Sequence, residues 1–163
     1  LLDAAAAFGA RSTTTRLLLF ATGAGPGLPA FERRAVALQS DRLSIVTGWF
    51  PEPLYRELLA CADVGICMHR STSGADLPMK LVDMLGAGVP PLVYDDLPVL
   101  RELLSPEQCA GTFDNAAELV ERLTYLTADA PALARLAGVR TAMGAPAVTW
   151  REEWRRNALP VLL

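Results

Sequence analysis

The sequence predicts an α/β domain, a Rossmann-like parallel sheet with helices on both faces. Three observations carry that expectation. Short apolar runs alternate with segments of helical period along the chain. Four of those runs are apolar at nearly every position rather than at every second one, as strands are when helices cover both faces. No internal repeat or low-complexity linker interrupts the 163 residues, so one domain, 1–163, is the economical reading.

The elements follow in order. "LLDAAAAFGA" at 1–10 reads as the second half of a helix, rich in alanine and stopped by Gly9. An α/β domain ordinarily opens on a strand, so a first strand is expected to be absent from this chain. The chain also begins at Leu1 rather than Met, as a sequence starting inside a longer protein would. "RLLLFAT" at 16–22 is a strand that stops at glycine, and "GAGPG" at 23–27 is a turn. "LPAFERRAVALQS" reads as a helix carrying Phe31, Val36 and Leu38 among charges. "LSIVTGW" at 43–49 is a strand. "PEPLYRELLACA" at 51–62 places prolines in a loop and first turn, then Leu54, Leu58 and Leu59 at helical spacing. "DVGICM" at 63–68 is a strand, followed by a polar loop and a helix with Leu81, Val82 and Leu85 on its apolar side. "PPLVY" at 90–94 is a strand, "LPVLRELL" at 97–104 a helix, and "CAGTF" at 109–113 a weaker strand. "NAAELVERLTYLT" at 115–127 is a helix with Leu119, Leu123 and Leu126 in one stripe. "APALARLAGVRTAM" and "WREEWRRNALPVLL" supply two more helices.

Composition narrows the function. Apolar residues make up 52% and charged ones 20%, which fits a globular chain and not a disordered one. A net charge of −3 argues against a nucleic-acid surface, while a small anion needs only a local positive field. Apolar runs such as "LLLFA" at 17–21 are far short of the roughly 20 residues of a membrane span. No basic region precedes an apolar one at the amino end, so no signal peptide is read. Cys61, Cys67 and Cys109 form no CxxC pair and His69 is the one histidine. They read as three buried thiols in a reducing compartment, with no metal and no cofactor expected.

In open α/β sheets ligands bind outside the carboxyl ends of the strands. Two loops there draw notice. "TGAGPG" at 22–27 lets backbone N–H groups approach a phosphate closely, through Gly23 and Gly25. It has neither the GxGxxG spacing nor GK[ST], so a plain strand-to-helix turn reads equally well. "HRSTSGADLP" at 69–78 offers the hydroxyls of Ser71, Thr72 and Ser73 and a flexible Gly74. Pro78 suits a first helical turn, which leaves the N–H groups of Met79 and Lys80 open to an anion. The Lys80 ammonium adds to the helix partial charge there. Asp83 lies one turn on, on the same face, and a carboxylate there can accept from the two hydroxyls of a ribose. The stretch therefore suits a sugar diphosphate. The competing reading is an exposed Lys80–Asp83 pair worth a few tenths of a kcal/mol, with Asp76 a simple helix N-cap.

The run "PMKLVDMLGAGVP" at 78–90 resembles the P-x-K-x-x-[ED]-x-M-x-x-G-x-P element of GT-B glycosyltransferases. The longer run "ADVGICMHRSTSGADLPMKLVDMLGAGVP" at 62–90 is closer to one family, the chitobiosyldiphosphodolichol beta-mannosyltransferases. "LLDA", "TGAGPG", "TGWFPEPLYRELLACAD" and "TWREEWRRNALPVL" agree with that family in order. The resemblance covers essentially the whole chain, but only the carboxyl-terminal, donor-binding half of the family protein. It implies a GDP-mannose donor, an inverting β-1,4 transfer to dolichol-diphosphate-linked chitobiose, and no metal in the chemistry. It also implies the cytosolic face of the endoplasmic reticulum membrane. Lys80 and the helix start at Pro78 and Met79 would meet the diphosphate, and Asp83 the ribose. Ser73 and Gly74 would line the sugar-diphosphate loop, and Gly23 and Gly25 the turn under the phosphates. Trp49 and Phe50 would lie near the base, with core aromatics as their plainer role.

Two departures stand out. The family-like turn carries lysine where this chain has Ala24, which removes a phosphate-facing cation. The amino-terminal half, which in the family carries the membrane anchor, most of the acceptor site and the expected general base, is missing. No catalytic base is therefore named in this chain; a single histidine at a strand end, His69, is more often structural or a donor contact. In two-domain transferases a terminal helix such as 147–163 often crosses to the partner domain. Its Trp150 and Trp154 read as packing anchors and its Arg151, Arg155 and Arg156 as solvated, in preference to a membrane surface. The chain alone is expected to bind nucleotide weakly and to catalyse nothing. The alternatives are a non-catalytic nucleotide-sugar-binding or partner subunit, and an unrelated doubly wound domain with an interaction role.

Overall fold

The computed structural model describes residues 1–70, 73, 76–94, 104, 108–143 and 150–162. The order of elements is α1 (Leu2–Arg11), β1 (Leu17–Thr22), α2 (Leu28–Ala37), β2 (Leu43–Gly48), α3 (Glu52–Ala60), β3 (Gly65–Cys67), α4 (Met79–Gly86), β4 (Pro91–Tyr94), β5 (Gly111–Phe113), α5 (Ala116–Thr127) and α6 (Ala130–Met143). A last helical segment, α7, runs through Trp150–Glu153, a wider π turn at Trp154–Ala158, and Leu159–Leu162. The helix expected at 97–104 falls almost wholly outside the described residues.

Among the described residues every pairing between the named strands is parallel. The strands form two sheets rather than one, β1-β2 and β3-β4-β5. Leu17 stands opposite Leu43 and Thr22 opposite Gly48 in the first. Gly65 faces Pro91, and Leu92 faces Gly111, in the second. α1 joins them. Its Ala4 and Phe8, one turn apart, pack with Leu92, Phe113 and Leu123. Its Leu2 and Ala5 pack with Leu19, Leu43 and Ile45 of the other sheet. On the opposite face of the three-stranded sheet, Leu81 and Met84 of α4 pack with Cys67, Val89 and Val93.

Several expectations need correction. Gly9 does not stop α1, which continues to Arg11. The glycine is there for contact, since a Cβ at residue 9 would lie 3.2 Å from Leu43 Cβ. α3 buries none of its residues, although Leu54, Leu58 and Leu59 repeat at helical spacing. Cys61 is exposed for the same reason, because it follows that helix; Cys67 is buried and Cys109 intermediate. Trp154 is 40% exposed, so it is not a buried anchor, while Arg151, Arg155 and Arg156 are exposed as expected.

Local contacts hold the ends in place. Asn115 caps α5 by accepting from the Glu118 N–H at 3.0 Å, and the Asp114 N–H donates back to the Glu118 carboxylate at 2.9 Å. Arg140 of α6 donates to the carbonyls of Gly88, Ala60 and Ala62, at 3.2, 3.2 and 2.8 Å. That one guanidinium ties the ends of α3 and α4 to α6. Gly65 allows α4 to settle against β3: a Cβ there would meet Met84 Sδ at 2.6 Å. Among the described residues no helix is long and apolar enough to cross a membrane.

Candidate functional site

A cavity of about 1280 Å³ opens at the carboxyl ends of β1 and β3. Gly23, Ala24 and Gly25 bound it after β1. Met68, His69 and Arg70 bound it after β3, and Pro78, Met79 and Lys80 at the start of α4. These are the positions where such sheets hold ligands.

The turn after β1 depends on its glycines. Gly23 and Gly25 have φ of 157° and 152°, a region that residues with a side chain rarely adopt. A Cβ at either would meet nothing within 4 Å, so backbone conformation and not packing requires glycine. The Gly23 N–H donates to the Gly48 carbonyl at 3.2 Å, which anchors the turn to the end of β2. α2 then starts at Leu28 with proline in its first turn.

α4 begins cleanly. Pro78 is its N-cap residue, and the Pro78 carbonyl accepts from Leu81 and Val82 at 2.9 and 3.2 Å. Among the described residues the N–H groups of Met79 and Lys80 have no such partner. Pro78 is buried, while Met79, at 65% exposure, and Lys80 face outward at the helix tip. Asp76 is not the cap. Its carboxylate meets His69 Nε2 and accepts from the Ser73 hydroxyl at 3.2 Å, so it fixes the loop instead.

Lys80 and Asp83 do not pair with each other. Asp83 accepts a hydrogen bond from the Tyr55 hydroxyl of α3 at 3.1 Å. Burial pushes the Tyr55 phenol above its ordinary value, and the charge and hydrogen bond of Asp83 push it further. Tyr55 lines the cavity; Asp83 is exposed, does not line it, and is linked to it only by that hydrogen bond. Burial also raises the Cys67 thiol, against opposing pulls from the His69 backbone and the Lys80 charge. It therefore stays neutral and is no nucleophile.

Five of the nine expected residues lie on the cavity wall: Gly23, Gly25, Pro78, Met79 and Lys80. Asp83 joins them through Tyr55. Trp49, 76% exposed on the loop after β2, and Ser73, bound to Asp76, stand off that wall. Gly74 lies outside the described residues. Two residues were missed. Tyr55 sits 28 positions from Asp83, and no spacing rule joins them. Arg70 lines the cavity beside His69, with its guanidinium 5.8 Å from the Tyr94 ring centre. A cation next to a histidine at a strand end was signal enough to name it.

Comparison with known proteins agrees. The family model described as glycosyl transferase-like matches residues 25–154. The chain is 38% identical over 107 residues to a chitobiosyldiphosphodolichol beta-mannosyltransferase of Arthroderma benhamiae, covering 63% of this chain and 24% of that protein. It is 32% identical over 149 residues to the Homo sapiens protein of the same name, covering 90% of this chain and 32% of that protein. It is 33% identical over 150 residues to the UDP-glycosyltransferase TURAN of Arabidopsis thaliana, covering 90% of this chain and 32% of that protein. The chain thus spans about a third or less of the length of these curated relatives. Parallel sheets flanked by helices fit a Rossmann-like GT-B domain, and the chain belongs to the glycosyl transferase-like family of enzymes.

Proposed function

We propose that this chain is the donor-binding part of a glycosyltransferase that moves mannose from GDP-mannose to dolichol-diphosphate-linked chitobiose. One observation carries the reading: the glycine turn after β1 and the open tip of α4, with Lys80, line the same cavity. Backbone N–H groups, a helix partial charge and an ammonium there suit a diphosphate. Asp83 suits the ribose diol, which takes over the hydrogen bond now given by Tyr55. Ser73 and Gly74 belong to the loop over the sugar, and Trp49 offers a flat face for the base.

In the transfer, an acceptor hydroxyl oxygen attacks the mannose anomeric carbon from the face opposite the diphosphate, and inverts it. The bond from that carbon to the phosphate oxygen breaks. GDP leaves with the electron pair, and the hydroxyl proton goes to a base on further polypeptide. The α4 tip and Lys80 stabilise the charge that grows on the leaving diphosphate. The similarity to beta-mannosyltransferases supports a dolichol-linked acceptor and work at the cytosolic face of the endoplasmic reticulum membrane. Acceptor and base lie outside this chain, so the chain alone is inactive.

Calorimetric titration with GDP, UDP and GDP-mannose tests the donor. GDP and GDP-mannose bind; Asp83→Ala weakens both. Ala24→Lys tightens binding by roughly 1–3 kcal/mol, the range for charge-assisted hydrogen bonds. If Asp83→Ala binds GDP as the parent does, the ribose role is wrong. UDP binding in preference to GDP moves the donor to the class printed in the TURAN name. A second reading, a non-catalytic nucleotide-sugar-binding partner subunit, draws on Ala24 at the turn. Transfer activity restored by adding the rest of a relative decides against it.

A further inference from the structure

Charge is unevenly placed around the cavity. Before β1 and β3, at the amino ends of the strands, it is lined by Arg16 and Asp63, of opposite sign. Past the carboxyl ends, its charged or basic lining side chains are His69, Arg70 and Lys80, with no carboxylate beside them among the described residues. The two acids that flank Lys80 in the chain are engaged elsewhere. Asp76 meets His69 and accepts from Ser73, and Asp83 accepts from Tyr55. Among the described residues neither Arg70 nor Lys80 has an ion-pair partner. Two cations without counter-ions set up a local positive field, although the net charge of the chain is −3.

Arg70 is also held in place. Its guanidinium lies 5.8 Å from the centre of the Tyr94 ring. Cys67 pairs in register with Val93, so Tyr94, at the end of β4, comes level with the start of the loop that carries Arg70. The Tyr94 ring is itself fixed. It stands edge-on to Phe113, with ring centres 5.9 Å apart, and Phe113 is buried. An arginine on an aromatic face keeps its N–H donors along the edges of the fork, where they can take two oxygens of one phosphate together. The ring also restricts the side chain beforehand, so less freedom is lost when an anion arrives.

Nothing else at that end of the cavity supplies such a fork. Ala24, between Gly23 and Gly25, brings backbone N–H groups and no charge to the turn after β1. Lys80 is a single point charge at the α4 tip. A diphosphate presents two charged groups, and the α4 tip with Lys80 matches one of them.

We propose that Arg70 is the second cation of a diphosphate seat, standing in for a charge that the turn lacks, and that it sets the preference for a diphosphate over a monophosphate. The proposal rests on the reading of this cavity as the donor site. Tyr94 is a positioning residue that acts through Arg70. In the transfer, Arg70 shares with Lys80 the charge that gathers on the departing diphosphate.

Calorimetry with GDP, GMP and inorganic pyrophosphate at one fixed salt concentration tests this. Arg70→Ala weakens GDP and pyrophosphate at least ~10-fold and leaves GMP within about 2-fold of the parent. Arg70 is exposed, so its removal does not threaten the fold. Arg70→Lys restores only part of the loss, because an ammonium has no fork. Tyr94→Leu weakens GDP about 3-fold in the parent and has no further effect in Arg70→Ala, a coupling that a plain loss of packing would not show. Equal GDP affinity in the parent and Arg70→Ala overturns the proposal and leaves the donor reading standing. Equal losses of GDP and GMP also overturn it, by making Arg70 a general attractor of anions. Pyrophosphate bound through Arg70, with neither nucleotide bound, upholds the seat and removes the donor reading. A parent chain that binds neither GDP nor pyrophosphate overturns both.

Discussion

Leu92 and Leu18 are both leucines inside apolar strands of one domain, yet Leu92 is 0% exposed and Leu18 is 55% exposed. The first belongs to β4, which has a parallel partner on each edge, α4 on one face and α1 and α5 on the other. The second belongs to β1, which among the described residues has a partner on one edge only. Phe20 and Val46, also in the two-stranded sheet, are exposed as well. A strand's own hydrophobicity therefore does not bury it. Burial is a property of the neighbours, and the two sheets differ in how many they have.

The comparison breaks most visibly in stability. Leu92→Ala costs about 2–5 kcal/mol in urea denaturation, because it opens a cavity in a closed core. Leu18→Ala costs about 0.5 kcal/mol, because solvent already reaches the site. Equal losses would mean that the two sheets are equally well packed in solution. A smaller effect sharpens the contrast at a helix end. Asn115→Ala removes the side-chain cap of α5, over the three-stranded sheet, and costs about 1 kcal/mol in the same measurement. α2, beside the two-stranded sheet, has no side-chain cap to lose.

The smallest effect is one of pH. The Tyr55 phenol is raised above 10.0 in the folded chain, so the folded state holds its proton where the unfolded state releases it. Its contribution is complete below pH 10 and is lost as pH rises through the folded value. The difference in stability between the parent and Tyr55→Phe should shrink above pH 10, followed by denaturant midpoint. A difference constant to pH 11 would mean that neither burial nor Asp83 raises the phenol.

Much of the fold was legible because its signals are local. The apolar runs at 17–21, 43–46 and 91–93 became strands, and the leucine stripe at 119, 123 and 126 became the buried face of α5. The separation into two sheets was not, because strand pairing is a relation between distant residues. Gly9 misled because a glycine that ends a helix and one that fits against Leu43 look alike in one dimension. α3 misled because helical spacing shows that a face exists and not that anything covers it. At the site, the helix tip could be read from Pro78 and Lys80 alone. Tyr55 could not, since its partner Asp83 is reached only through the packing of α3 beside α4.

Gly65 lines the cavity beneath α4, and the absence of a side chain there leaves room for the Met84 side chain. A methyl group would drive into the Met84 side chain, 2.6 Å from its sulfur, and force that side chain to move. The bed on which α4 rests is thus shaped by one hydrogen atom standing where any other residue would place a carbon.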